Sequence, residues 1–253
     1  MRAKTIDDVL TILAGIVADT KARKDPLGYF AALYRQVTLE VKAGIERGFF
    51  DDEKRLSGFD ASFANAYFEA YEKFSAGKQP SRAWRFAFDR TRSGRLIILQ
   101  SLLLGINAHI NLDLGVVTGK AFPGIELDGF RDDFNRINEI LASLIPAARE
   151  TVEQFSPLLE ELTAIGGQDV AQVLEFSVDT ARDEAWRAAE LISLTPSQID
   201  LLAIGTLDAK AKLLGRVVAD HPEPLATVVR RIRRAESTDV AGIITALDGI
   251  VQT

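Results

Sequence analysis

The sequence predicts an all-α fold, a single multi-helix, bundle-like domain over residues 1–253 with a buried central helix at about 95–119. Three observations carry this prediction. Apolar residues recur at three- and four-residue steps with almost no strict alternation, so helices are favoured over half-buried strands. Helix punctuation recurs throughout, with capping residues ahead of apolar runs and Gly or Pro behind them. One segment, "LLLGINAHINLDLGVV" at 102–117, is apolar on every side, as a helix surrounded by protein must be.

The elements follow in order. "TIDD" places Thr5 as N-cap with Asp8 closing a capping box, opening a helix from about Ile6 to Arg23. Asp7, Asp8 and Asp19 also argue against reading this stretch as a secretory signal. Asp25 as N-cap and Pro26 at the first helical position restart the chain for a second helix to about Gly48, and "GFFDD" reads as a turn exposing two aromatics. Asp60 reads as the cap of a helix to about Ser75, with Phe63, Tyr67, Tyr71 and Phe74 as an aromatic stripe. Ser81 or Pro80 opens "RAWRFAFDRTR", and Ser93–Gly94 closes it. Beyond the central helix, Asp128 reads as the cap of "FRDDFNRINEILASLI", with a restart or kink at Pro146. "AIGGQD" is the candidate internal boundary. Further helices follow in 170–194, and the segment 197–251 is expected to pack on the core.

Composition sets limits on function. The chain has 253 residues, a net charge of −6 and no cysteine. Acidity weighs against an extended nucleic-acid surface, and the missing thiols exclude disulfides, thiolate zinc sites and cysteine nucleophiles. Spanning a bilayer takes about 20 apolar residues. The longest apolar stretch is broken by Gln100, Ser101 and the polar set, so no transmembrane segment is expected and the location is expected to be cytoplasmic. No nucleotide loop or serine elbow is present. Oligomeric state is left open.

The central segment carries the functional signal. Successive residues turn about 100°, so His109 and Asp113 share one face, while Asn107 and Asn111 share the roughly opposite one. Gly105, Ala108, Gly115 and Gly119 lie beside the His/Asp edge, leaving room for a close backbone or a ligand. A buried polar group without a partner costs about 1–3 kcal/mol, so this set needs partners. One reading is a structural network in which Asn107 and Asn111 bridge helices. The other is a site, with His109 and Asp113 as an acid/base pair or sharing a divalent metal. His221, the second of two histidines, reads as a loop residue, so a multi-histidine cluster is excluded. Arg182 and Asp183 read as an ion pair. An arginine beside a buried tryptophan can instead line an anion pocket, and Trp84 and Trp186 each have arginines nearby. "VVRRIRR" reads as a solvated basic face.

"GINAHINLDL", complete from Gly105 to Leu114, resembles the signature of a bacterial all-helical family of unknown function: Gly, an aliphatic residue, Asn-Ala-His-Ile-Asn, any residue, Asp-Leu. The resemblance continues in "YFAALYRQVTLEVKAGIERGFFDD", "FDASFANAYFEAY", "AWRFAF", "DDFNRIN" and "ARDEAWRAAELI", covering about residues 25–195. It implies one helical domain with a functional centre that includes Asn107, His109, Asn111 and Asp113. Asp60, Trp84, Asp133 and Asn138 match further pattern positions. No activity comes with it.

Two functions fit these residues. The first is a small-molecule enzyme with a buried polar site, performing hydrolysis, elimination or cyclisation. His109, Asp113 and Asp133 would do the chemistry, with Asn107, Asn111, Asn138, Trp84, Tyr67 and Asp60 holding substrate. The second is a non-catalytic binder of an apolar or lipid-like ligand, its aromatic stripe lining the pocket.

Overall fold

The computed structural model describes residues 1–162, 170–194 and 197–252. Among them every regular element is helical. The α-helices are α1 (Ile6–Arg23), α2 (Gly28–Glu46), α3 (Glu53–Ser75), α4 (Arg82–Arg92), α5 (Ile98–Ala108), α6 (Gly115–Ala121), α7 (Arg131–Phe155), α8 (Val170–Leu194), α9 (Ser197–Ala219), α10 (Leu225–Ala235) and α11 (Val240–Leu247). A π-helical segment, His109–Leu114, joins α5 to α6, so Ile98–Ala121 forms one continuous central rod.

Local chemistry sets several of these boundaries. Thr5 caps α1 with a full capping box through Asp8. Ser81 caps α4 by accepting from the Trp84 N–H. Gly94, at φ 68°, supplies the left-handed turn before the central rod. Pro146 lies inside α7 rather than ending it.

Four expectations require correction. Asp25 does not cap α2, which begins at Gly28 with no side-chain cap; Asp25 accepts from the Leu27 N–H at 3.1 Å in the turn ahead of it. Asp60 does not cap α3. Asp52 does, accepting from the Arg55 N–H, and the helix runs through Ser57 and Gly58 because Leu56 and Phe59 are buried on its inner face. Asp60 is therefore a buried mid-helix carboxylate. Asp128 sits in a 3₁₀ turn, and α7 begins at Arg131 with no side-chain cap. Phe50 is buried, filling the space beside Gly44, rather than exposed. The "AIGGQD" boundary falls outside the described residues.

The central rod is surrounded by α2, α3, α4, α8 and α9. By length and composition it could cross a bilayer, and 67% of its apolar window is buried within this fold. C-terminal elements close over the core. The Glu236 carboxylate accepts from the Ile98 N–H at 3.0 Å and from Ser156 Oγ at 2.9 Å, which caps α5 from a distance. Arg35 and Gln36 of α2 hold Asp248.

The glycine stripe serves backbone approach. A Cβ at Gly115 would lie 2.8 Å from the Ala185 carbonyl oxygen, and one at Gly119 would lie 2.8 Å from that of Ala189. At Gly105 it would strike the Phe30 ring at 2.5 Å. Gly→Ala inside a helix ordinarily stabilises by about 1 kcal/mol. Gly115→Ala is expected to reverse that sign and cost about 1–3 kcal/mol, because backbone must move to admit the methyl. A lowered thermal midpoint would be the readout, and a raised one would contradict this packing.

Candidate active site

The π-helical segment presents His109 and Asp113 to one side of the rod, both buried. π-Helical insertions in α-helices occur frequently at functional sites. His109 Nδ1 lies 3.1 Å from Asp113 Oδ2. The same carboxylate oxygen accepts the Trp84 Nε1–H at 2.8 Å. With Asp113 ionised, Nδ1 carries the imidazole proton and Nε2 is left as an acceptor. Nε2 is buried with no hydrogen-bond partner.

Aromatic rings fix the imidazole plane. Phe63 stacks on it at 3.7 Å between centroids and 7° between planes, and Tyr34 meets it edge-on at 4.7 Å. Trp84 packs between Phe30, Tyr67 and Phe88. Tyr67 thus buttresses the tryptophan and does not line the pocket.

His109 lines a cavity of about 150 Å³. Apart from Tyr34, Asp60, His109, Arg149 and Arg182, its wall is aliphatic or phenylalanine. The Tyr34 hydroxyl, one Asp60 carboxylate oxygen and His109 Nε2 are all buried without partners. Three acid–base groups thus share one apolar wall, each with an unused polar atom.

The titration of these groups follows from burial. Burial lowers the His109 pKa below its usual value, against the opposing pull of Asp113. Burial raises Asp113, opposed by hydrogen bonds from His109 and Trp84. Asp60, with burial alone acting, is raised to about 7. Tyr34 is pushed well above the usual tyrosine range by burial and by the Asp60 and Asp113 charges.

Other expected site residues lie elsewhere. Asp133 does not reach the pocket. Its carboxylate accepts from the Asp51 N–H at 2.8 Å and pairs with Arg55 and Arg136, each at 3.0 Å, binding α7 to the start of α3. Burial pushes that carboxyl up, but these donors outweigh it and hold it below its usual value. Asp132 and Glu139 are exposed, so the acidic motif does not converge. Asn107 and Asn111 form the structural bridge: Asn111 Nδ2 donates to Asn107 Oδ1 at 3.1 Å, and Asn107 Nδ2 donates to the Ala211 carbonyl of α9 at 2.8 Å. Asn138 is outside the pocket wall, with a buried unpartnered Oδ1.

His109 Nδ1 and Asp113 Oδ2 bond each other, and no three His, Asp or Glu side chains gather to hold an ion among the described residues. The expected Arg182–Asp183 ion pair is also absent. Arg182 is buried, Asp183 is exposed, and Arg182 instead donates to the Phe134 carbonyl at 2.7 Å. "VVRRIRR" is solvated as expected, with Arg230 and Arg231 paired to Glu223 and Glu161.

Asp60 and Tyr34 line the pocket with His109, and sequence reasoning named only the first of them as a site residue. A sequence signal existed for Asp60, in the family pattern, but its position looked like a cap. Tyr34 offered none beyond an aromatic within an apolar helix.

Comparisons with curated proteins and with solved structures return no match. A family model does match, over residues 6–221, reaching beyond the resemblance read from the motifs at both ends. This match covers most of the chain, including the central rod, Asp60, Trp84 and Arg182. The chain belongs to the family of unknown function DUF5995.

Proposed function

We propose that the protein is an enzyme performing acid–base chemistry on a small, largely apolar molecule in this pocket. One observation carries the reading: His109, which lines the pocket, is held through Nδ1 by Asp113 while its buried Nε2 has no partner. That is the arrangement a general base requires. Nε2 accepts a proton from the substrate, and Asp113 stabilises the imidazolium that forms. Trp84 positions Asp113. Asp60, titrating near 7, is available in its protonated form at neutral pH to supply a proton to a leaving oxygen. An apolar, water-poor wall suits elimination or cyclisation better than hydrolysis, since neither needs an attacking water.

The test is mass spectrometry of an apolar metabolite extract incubated with the wild type and with His109→Gln. The expected result is a component consumed and a product formed by the wild type, slowed about 100-fold or more in the variant. Turnover that His109→Gln leaves unchanged, or no turnover at all, would overturn the assignment. The nearly continuous apolar wall favours a second reading, that of a ligand carrier. Its signature would be a component retained unaltered by both proteins.

A further inference from the structure

Arg182 is 2% exposed, yet no carboxylate pairs with it among the described residues. One Nη2–H goes to the Phe134 carbonyl, and the guanidinium lies 4.3 Å from the centroid of the Phe134 ring. Nε is buried with no acceptor. A carbonyl and a ring face orient the cation, but neither neutralises it. The acids whose charge reaches Arg182 are Asp179 and Asp183, both on the solvent side of α8. Burial lowers the guanidinium pKa to about 9, the sign of a desolvated cation short of counter-charge.

Arg182 also lines the cavity that His109, Asp60 and Tyr34 line. An anion inside the cavity can therefore reach it without crossing solvent. Buried cations persist when paired and hydrogen-bonded, and a planar guanidinium with an unused N–H suits a carboxylate. Cavity size limits the rest of the molecule. About 150 Å³ of apolar space accommodates a body of roughly six to eight carbons, since a cavity of that size holds benzene.

We propose that Arg182 is the anion anchor of the pocket and that the ligand is a compact apolar carboxylate, its charged end on Arg182 and its body along the aliphatic wall. This inference rests on the pocket being the working site, and it adds the substrate class to the acid–base reading. The unpaired cation draws the carboxylate to Arg182, which leaves Asp60 and His109 to meet the uncharged part of the molecule.

Calorimetric titration of octanoate and of 1-octanol tests it, using the wild type, Arg182→Met and Arg182→Lys. A charge-assisted hydrogen bond contributes enough to predict octanoate binding about 10- to 100-fold tighter than octanol in the wild type. Arg182→Met should remove that preference while leaving octanol binding intact, and Arg182→Lys should retain part of it. Should Arg182→Met fail to fold, the wild-type preference and the lysine variant decide. Octanol bound as well as octanoate, or octanoate affinity unchanged in Arg182→Met, would overturn the anion anchor and leave the pocket standing. Failure of the wild type to bind either probe would overturn both the anchor and the pocket.

Discussion

Asp113→Ala is expected to lower stability by about 2–4 kcal/mol, because it removes the acceptor of two buried donors at once. Trp84 Nε1–H and His109 Nδ1–H both end on Asp113 Oδ2, and neither has another acceptor. The relief of desolvating a carboxylate opposes this loss, since burial raises the Asp113 pKa. The loss should still prevail, because two stranded donors and a small void replace one satisfied oxygen. Asp113→Asn keeps an oxygen and the volume, so it should lose less stability while still freeing the imidazole from its charged partner. Urea denaturation of the three proteins provides the comparison. A loss below about 1 kcal/mol for the alanine variant would mean that the triad contributes little to the fold.

Asp60→Asn should flatten part of the pH dependence of stability. The carboxyl titrates near 7 in the folded chain, against 3.8 for an ordinary aspartate. Below pH 4 both states are protonated and the group costs nothing. Between pH 4 and 7 the unfolded carboxyl ionises while the folded one keeps its proton. The folded state then binds more protons, so the stability contributed by this group falls as pH rises. Above pH 7 the penalty is constant. The gap between the two pKa values corresponds to about 4 kcal/mol. An amide has no such slope. Relative to its value at pH 4, the stability of Asp60→Asn should therefore gain on the wild type up to about pH 7 and then level off. Parallel denaturation curves at pH 4, 6 and 8 measure this. A constant difference across that range would show that Asp60 is solvated or paired.

The helical class was legible because each helix must bury a stripe, and stripes are visible as spacing. Thr5 was legible as a cap, and Ser81 as one of two candidates, because their chemistry is local. Asp60 was misread for the same reason: an aspartate ahead of an apolar run has the pattern of a cap. What separates the two cases is tertiary, namely that Leu56 and Phe59 bury upstream and carry the helix through Gly58. The His109–Asp113 pairing followed from four-residue spacing, whereas the π-helical geometry between them has no signature in residue type. Asp133 looked like a site carboxylate because its neighbours are acidic and amidic, but two arginines from its surroundings take up its charge. Arg182 resisted reading because an adjacent acid suggests a pair, and only burial reveals that the acid points to solvent.

The proposed chemistry requires His109 to be a neutral imidazole, with Nδ1 protonated toward Asp113 and the unpartnered Nε2 free to accept a proton. Nitrogen-15 spectroscopy of the histidine-labelled protein tests it most directly. The chain has only two histidines, so a His221→Asn variant assigns both sets of signals. A protonated Nδ1 and an unprotonated Nε2 are expected for His109 at neutral pH. The ring should also titrate below the ordinary histidine value and change tautomer population in Asp113→Asn. An imidazolium at neutral pH, or a proton resident on Nε2, would contradict it, because Nε2 could then not accept a proton from a molecule in the cavity.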